Sequence, residues 1–238
     1  MPRDPLQDPE LLRALRALSN ESGAVLLAGG PRFEFDADWE PRERNSVFRI
    51  AGDEAEAVVA YDKRALVPFA ESWPTSLVSR PGWLAAEDVV AGSEPAWMRA
   101  GGCRIGILIC FEADRPELAR ELAAGGADAI LIQTNDAELP SSAIDIEVAE
   151  ARLRAVETGL PVLRAANRGE SLAIDRYGRD VARPKDGVTQ LEVGPPEPAP
   201  AVRWASPLLA LCWVVAVLAT ARGVLAWRQE APVRASRE

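Results

Sequence analysis

The chain contains no histidine, and this absence excludes several classes of site. Ser-His-Asp triads, Cys-His pairs and every histidine-containing metal site are ruled out across its 238 residues. Acid–base chemistry must therefore fall to glutamate, aspartate, lysine or tyrosine. Lysine is almost as scarce, since only Lys63 and Lys185 are present against 25 arginines. In a chain that uses arginine for almost every positive charge, a lysine suggests a position whose function an arginine could not perform.

Cysteine is also scarce, with Cys103, Cys110 and Cys212 as the three examples. The first two are seven residues apart in what is predicted to be one strand. Their side chains should then point to opposite faces, so we do not expect them to form a disulfide. No zinc-ligand spacing is present. We therefore predict no bound metal and no cofactor.

Positive charge is in deficit as well. The formal net charge is -9, and a nucleic-acid-binding protein would need a basic surface, so that class is disfavoured. The deficit is uneven, because from Arg203 onward five arginines face two glutamates. With 48% hydrophobic residues, the chain is long enough for one sizeable α/β domain and a short appendage.

Apolar runs and helical spacings give a coarse map of the domain. Leucines at 11, 12, 15 and 18 predict a helix that begins near Asp8-Pro9 and ends at Gly23. Two more helices are predicted over 116–124 and 144–158, whereas 33–44 and 63–97 are predicted to be irregular. Buried strands are predicted at 24–28, 46–50, 57–61, 104–109, 129–133, 161–166 and 171–175. Strands that alternate with helices indicate an α/β fold with a largely buried sheet.

The C-terminal part differs in composition from this domain, which we place at 1–193. Residues 194–203 are predicted to form a stiff linker, since 194–201 carries four prolines. Trp204 to Ala221 is an 18-residue stretch without a charge, just long enough to span a bilayer. We predict a transmembrane helix over 204–227, with Trp204 and Trp227 at the interfaces; the alternative is a buried C-terminal helix.

Residues 228–238 form the predicted tail, and arginine outnumbers glutamate in it. The positive-inside rule therefore predicts a cytoplasmic tail. The α/β domain would then lie on the opposite, outer side of the membrane.

Three segments carry residues suited to catalysis. One runs from Tyr61 to Glu71 (YDKRALVPFAE), one from Gly106 to Glu112 (GILICFE), and the third comprises TND at 134–136, RAVETG at 154–159 and RAAN at 164–167. Cys110 follows an apolar strand, where α/β proteins keep their active sites. Lys63 supplies a charge that would activate a thiolate and bind an oxyanion, with the Phe111 N–H as a second donor. Taken by itself, a cysteine at the end of a strand is more often a small buried hydrophobe than a nucleophile.

Together these segments resemble the nitrilase, or carbon-nitrogen hydrolase, superfamily and, within it, the apolipoprotein N-acyltransferases. The resemblance runs from about Leu11 to the end of the apolar stretch. It implies a nitrilase-like αββα sandwich followed by one C-terminal transmembrane helix. It also implies a bacterial inner-membrane enzyme that moves an acyl chain from a phospholipid to a cysteine thioester. The acyl chain then passes to the amino group of the lipidated N-terminal cysteine of a lipoprotein.

The resemblance assigns roles to individual residues. Cys110 becomes the nucleophile, Lys63 the oxyanion-stabilising lysine, and Glu71 a second carboxylate beside them, while Phe111 and Glu112 flank the site. A weaker expectation is that the substrate loops include Trp73, Trp83, Asn135 and Asp136. The Trp-rich loop from Glu71 to Trp97 would form a lid that faces lipid, with Trp73, Trp83 and Trp97 as anchors; these side chains could equally cover the core.

The chain departs from the family pattern at two places. The family's general-base glutamate lies in a Trp-Pro-Glu-like segment well over 60 residues before the lysine. At that spacing from Lys63, the glutamate would precede the first residue of this sequence. Glu10 is instead a first-turn helix residue. We therefore expect this chain alone to fold but turn over slowly. The second departure is Glu138-Leu139, where the family has an aromatic pair.

Two other functions remain open from the sequence. One is a soluble-type relative that hydrolyses small amides or nitriles, against which the apolar C-terminal stretch and the Trp-rich loop argue. The other is a catalytically inactive, membrane-tethered module that only binds a partner or lipid. The sequence contains no match to the family's general-base glutamate, which favours this second alternative.

Overall fold

The computed structural model describes residues 3–52, 57–73, 79, 88–100, 102–137, 139–182, 193–194, 199, 202, 207–208, 210–220 and 222. The helices are α1 (Pro9–Ser22), α2 (Pro116–Ala124) and α3 (Ser141–Thr158), and a 3-10 turn covers Cys110–Asp114. The first strands are β1 (Leu26–Phe35), β2 (Pro41–Ile50), β3 (Val58–Asp62), β4 (Trp97–Ala100) and β5 (Cys103–Ile109). The remaining strands are β6 (Ala129–Asn135), β7 (Val162–Asn167), β8 (Leu172–Ile174) and β9 (Asp180–Ala182).

The strands form two sheets. One is antiparallel in the order β1-β2-β3, and the other has six strands in the order β4 to β9. Within the second sheet, β5, β6 and β7 are parallel, and the outer pairs are antiparallel. The carboxyl ends of the three parallel strands therefore meet at one edge of the sheet. Cys110 follows β5 at that edge, and β6 and β7 end there in Asn135 and Asn167.

Three apolar clusters hold four layers together. Between α1 and the smaller sheet lie Phe48, Ile50 and Ala57, with Leu12 and Leu15. Between the two sheets lie Val47, Tyr61, Met98, Ile107 and Ile109. The third and largest cluster joins α2 and α3 to the six-stranded sheet and includes Leu108, Leu122, Ile130, Ile132, Val148, Ala151, Leu160 and Val162. The layers follow the order helix, sheet, sheet, helix, which confirms the predicted αββα sandwich.

Local chemistry explains where the helices begin and end. Asp8 caps α1 by accepting hydrogen bonds from the backbone N–H groups of Glu10 and Leu11. Gly23 closes α1 at φ 64°, and Gly159 closes α3 at φ 70°, a conformation that favours glycine. The predicted bounds of α1 and α2 match the structure, and α3 begins three residues earlier than predicted, at Ser141.

The region predicted to be irregular at 33–44 is instead a long hairpin. β1 continues through Gly29-Gly30 to Phe35, which pairs with Pro41 of β2. Ion pairs join charged side chains across this hairpin; for example, the Arg44 Nε lies 2.9 Å from the Glu34 Oε2. The sequence did not predict strands here because charged residues are uncommon in buried strands. In the folded hairpin, ion pairs between the two strands compensate these charges. β4 and β9 were also missed, since strands of four and three residues carry little periodicity.

The predicted linker lies mostly outside the described residues, whereas more than half of the predicted transmembrane helix at 204–227 lies within them; Trp204 and Trp227 do not. Where the chain is described, none of its helices combines the length and the apolar composition needed to cross a membrane. Residues 207–208, 210–220 and 222 are helical. The apolar side chains exposed there are Leu208, Leu211, Trp213, Val214, Val215, Val217 and Leu218.

Candidate active site

Cys110 lies at a strained turn at the carboxyl end of β5. It is the first residue of the 3-10 turn, and its φ is 51°, in the left-handed region that non-glycine residues rarely adopt. Strain of this kind persists only where the surrounding structure imposes it, and such residues cluster at active sites. All three cysteines are free, as expected for Cys103 and Cys110. The backbone therefore presents the Cys110 thiol at the edge of the sheet rather than within the strand.

Lys63 and Glu71 form a close ion pair in the loop after β3. The Lys63 Nζ lies 2.6 Å from the Glu71 Oε2, and the Lys63 side chain is only 1% exposed. The backbone of Lys63 is held on both sides, because its N–H donates to the Asn45 carbonyl and its carbonyl accepts from the Gly92 N–H, each at 2.8 Å. A side chain at Gly92 would collide with the Asp62 carbonyl, so glycine permits this close approach.

Glu71 is fixed by more than the lysine. Its Oε2 also accepts from the Val67 N–H at 2.8 Å, and its Oε1 accepts from the Asn45 side-chain amide at 3.2 Å. A buried ammonium with one strong partner keeps its remaining donors for a nearby anion. Glu71 therefore orients Lys63, which suits the predicted pairing of these two residues.

Glu112 ties the nucleophile's turn to the loop that carries Lys63. It is fully buried, and its Oε1 accepts from the Tyr61 hydroxyl at 2.7 Å. The same oxygen accepts from the backbone N–H groups of Arg64 at 2.7 Å and Ala65 at 3.0 Å. Its Oε2 accepts from the Ile109 N–H at 2.8 Å. Burial and the adjacent carboxylate raise the pKa of Tyr61 far above its ordinary value, so this phenol remains a donor.

The Cys110 thiol lies in a mixed electrostatic environment. Burial raises its pKa, and the charge of Glu147 raises it further. Contact with the Thr134 side chain, attraction to the Lys63 ammonium and the Phe111 backbone N–H each lower the pKa. Lys63 and the Phe111 N–H therefore each favour negative charge at the thiol.

The sequence analysis missed two acidic residues near this site. Glu147 lies on α3, which packs against the 3-10 turn, and Asp114 ends that turn. Each has a buried side-chain oxygen without a hydrogen-bond partner in the described part of the chain. One feature of the sequence could have indicated Glu147: on the predicted helix it lies next to Val148 and Ala151, which are buried. An acidic residue at the border of an apolar helix face is usually solvated, however, so this feature is weak.

The polar segment at the carboxyl end of β6 is largely structural. Asp136 is buried, and its Oδ2 pairs with the Arg164 Nη2 at 2.8 Å, while its Oδ1 accepts from the Thr134 hydroxyl at 2.8 Å. Asn135 is exposed and its side-chain oxygen accepts from the Asn167 amide at 3.1 Å. Asn135 therefore remains available to a substrate, whereas Asp136 fixes the ends of β6 and β7.

The predicted lid residues do not behave alike. Trp73 makes an edge-to-face contact with the exposed Phe69, with ring centroids 5.3 Å apart, close to Glu71. Trp97 is not a lid anchor but packs against the core, the alternative that the sequence left open; it lies in β4, and its indole N–H donates to the Leu122 carbonyl at 3.1 Å. The Arg104 guanidinium stacks on its ring. Trp83 lies outside the described residues, and so does Glu138.

A family model described as carbon-nitrogen hydrolase matches residues 2–193. Among curated proteins, the chain is 41% identical over 172 residues to an apolipoprotein N-acyltransferase of Brucella melitensis, covering 67% of this chain and 31% of that protein. It is 37% identical over 182 residues to an apolipoprotein N-acyltransferase of Allorhizobium ampelinum, covering 73% of this chain and 34% of that protein. The chain spans about a third of the length of these curated relatives.

Solved structures share the fold at lower identity. An amidase from Nesterenkonia sp. superposes with a TM-score of 0.55 and 21% identity, covering 88% of this chain and 74% of the amidase. Nit3 of Saccharomyces cerevisiae, a member of the nitrilase superfamily, gives a TM-score of 0.54 and 21% identity, covering 74% of this chain and 61% of Nit3. At this identity the likeness concerns the fold alone.

Proposed function

Because the chain belongs to the carbon-nitrogen hydrolase family, we propose that it carries out acyl transfer through a thioester on Cys110. The observation that carries this proposal is the strained Cys110 turn beside the buried Lys63–Glu71 ion pair. In the proposed reaction, the thiolate attacks the ester carbonyl of a phospholipid, and Lys63 and the Phe111 N–H stabilise the oxyanion. The acyl chain then moves to an amine acceptor.

We propose that the acceptor is the amino group of a diacylglyceryl-modified N-terminal cysteine on a lipoprotein. Relatives at 37% and 41% identity carry the name apolipoprotein N-acyltransferase, which supports this substrate class. The edge-to-face pair of Phe69 and Trp73 adds an apolar surface close to Glu71, where acyl chains would enter. Amide hydrolysis is less supported, because the amidases share only 20–21% identity with this chain.

Replacing Cys110 with alanine is expected to abolish the thioester. The chain would be incubated with phospholipid that is radiolabelled in its acyl group, and hydroxylamine-sensitive label on the protein would be measured. Cys103→Ala is a matched control, since Cys103 lies at the opposite end of β5, and its label should equal that of the unmodified chain. Undiminished label in Cys110→Ala would exclude Cys110 as the nucleophile.

We also propose that the uncharged stretch from Trp204 to Ala221 holds the domain on a membrane. The helical residues 210–220 expose leucine, valine and tryptophan side chains around their circumference, and a helix that is apolar on every side is stable only when it is buried. A bilayer would bury it. The excess of arginine after Ala221 supports a cytoplasmic tail, with the α/β domain on the outer face of the bacterial inner membrane.

Ending the chain near Pro200 is expected to release the domain from membranes. Liposomes would be mixed with the full and the shortened chain, and the pelleted fraction of each would be measured after sedimentation. The full chain should pellet with the liposomes, and the shortened chain should remain in the supernatant. A shortened, folded chain that pellets with the liposomes would assign the anchor to another surface, with Phe69 and Trp73 the first residues to replace.

A further inference from the structure

Thr134 lies beside the nucleophile at the carboxyl edge of the six-stranded sheet. The parallel register of β5 and β6 pairs Ile109 with Gln133, so the residues that follow them, Cys110 and Thr134, are adjacent. Thr134 is only 8% exposed, and its side chain forms a hydrogen bond with the Cys110 thiol. The strand register and this hydrogen bond together place the threonine hydroxyl against the sulfur.

Thr134 is also one end of a buried chain of polar contacts. Its hydroxyl donates to the Asp136 Oδ1 at 2.8 Å, and the Asp136 Oδ2 accepts from the Arg164 Nη2 at 2.8 Å. The Asp136 and Arg164 side chains are both fully buried. The Arg164 Nη1 donates in turn to the Glu170 carbonyl at 2.7 Å. Because the guanidinium holds the carboxylate, the carboxylate in turn fixes the Thr134 side chain.

We propose that Thr134 is a positioning residue that shares its one hydroxyl proton between Asp136 and Cys110, an inference that rests on the proposed thioester chemistry. A hydroxyl has a single donor, which rotates to suit its surroundings. While Cys110 is a thiol, the hydroxyl donates to the carboxylate, as the structure shows. When the thiol ionises, the hydroxyl rotates and donates to the thiolate. Its proton stays bonded to the threonine oxygen throughout, and a different group removes the S–H proton.

The charges on either side explain why the hydroxyl can change partner. Asp136 keeps its ion pair with Arg164 when the hydroxyl rotates away, so the carboxylate stays compensated. The thiolate is stabilised by Lys63 and the Phe111 N–H but opposed by burial and by Glu147, so a further donor matters there. As the sulfur bonds to the acyl carbon, negative charge moves to the carbonyl oxygen, and the hydroxyl returns to the carboxylate.

Replacing Thr134 with valine removes the hydroxyl and keeps the shape of the side chain. Without that donor the Cys110 pKa rises, so the midpoint pH of alkylation by iodoacetamide should increase by about one unit. Near neutral pH, alkylation and thioester formation should both slow by roughly tenfold. The plateau rate of alkylation at high pH should be retained, because the thiolate still forms there. Peptide mass spectrometry follows the alkylation of Cys110.

Three further variants separate this role from a structural one. Thr134→Ser keeps the hydroxyl and should restore both the alkylation midpoint and the thioester rate. Thr134→Ala lacks the donor and should give the raised midpoint again; it replaces Thr134→Val if that variant does not fold. Ser19→Ala removes another buried hydroxyl, which donates to the Ala24 carbonyl at the end of α1. It should lower thermal stability and leave the midpoint unchanged.

The alkylation profile decides the proposal independently of the thioester. An unchanged midpoint in Thr134→Val would overturn it, and so would a lower plateau at the same midpoint, which indicates a displaced thiol. A midpoint that stays raised in Thr134→Ser would overturn it too, because the hydroxyl would not be the group responsible. If the unmodified chain forms no thioester, the proposed function fails, whereas the midpoint still reports whether Thr134 donates to the thiolate.

Discussion

Replacing Lys63 with methionine is expected to slow thioester formation on Cys110 by on the order of 10³-fold. Loss of one oxyanion donor typically costs about 10²–10³ in rate. Lys63 also lowers the pKa of the Cys110 thiol, so its removal leaves less thiolate at neutral pH. Both effects act in the same direction. The measurement is the initial rate at which hydroxylamine-sensitive acyl label appears on the protein.

The Lys63 variant needs a control for folding, because methionine leaves the Glu71 carboxylate without its ammonium partner. The double variant Lys63→Met, Glu71→Gln removes that uncompensated charge and should unfold at a higher temperature than Lys63→Met alone. It should remain as slow in forming the thioester. Arg64→Met is the neighbouring control, since the Arg64 side chain instead pairs with the surface residue Glu121 at 2.7 Å. A thioester rate in Lys63→Met equal to that of Arg64→Met would contradict the role of Lys63.

Replacing Glu112 with alanine is expected to destabilise the domain by about 3–5 kcal/mol. The change leaves a buried tyrosine hydroxyl and three backbone N–H groups without an acceptor, and each unsatisfied group costs about 1–3 kcal/mol before partial relaxation. The free energy of unfolding would be measured by urea denaturation of the full chain in detergent. Thioester formation should fall too, because Glu112 joins the Lys63 loop to the Cys110 turn.

Glu121→Ala is the comparison for Glu112→Ala. Glu121 bonds the side chain of Arg64, but its own side chain is 41% exposed. Exposed ion pairs contribute less than about 1 kcal/mol, so Glu121→Ala should unfold almost as the unmodified chain does. Similar losses for the two variants would mean that the Glu112 hydrogen bonds contribute little to stability.

The candidate site illustrates which contacts a sequence can indicate. Lys63 and Glu71 are eight residues apart, and their shared motif predicted the pair that the structure forms at 2.6 Å. Glu112 was predicted only to flank the site. Its role as the acceptor that joins two loops depends on Tyr61 and Arg64, which are about 50 residues away along the chain. No local pattern indicates a contact at that separation.

The sequence by itself determined the αββα fold class, the strand that ends at Cys110, the bounds of α1 and α2, and the motif that joins Lys63 to Glu71. The strand and the helix bounds follow from local periodicity and capping residues, which act within a few residues. The αββα sandwich and the pairing of Lys63 with Glu71 are what the resemblance to the family implied. Only the tertiary structure decided that β1 and β2 form a long charged hairpin, that Trp97 packs on α2, and that α3 packs against the turn that begins with Cys110. Each depends on elements distant in sequence, because burial and charge at a side chain are set by whatever packs against it.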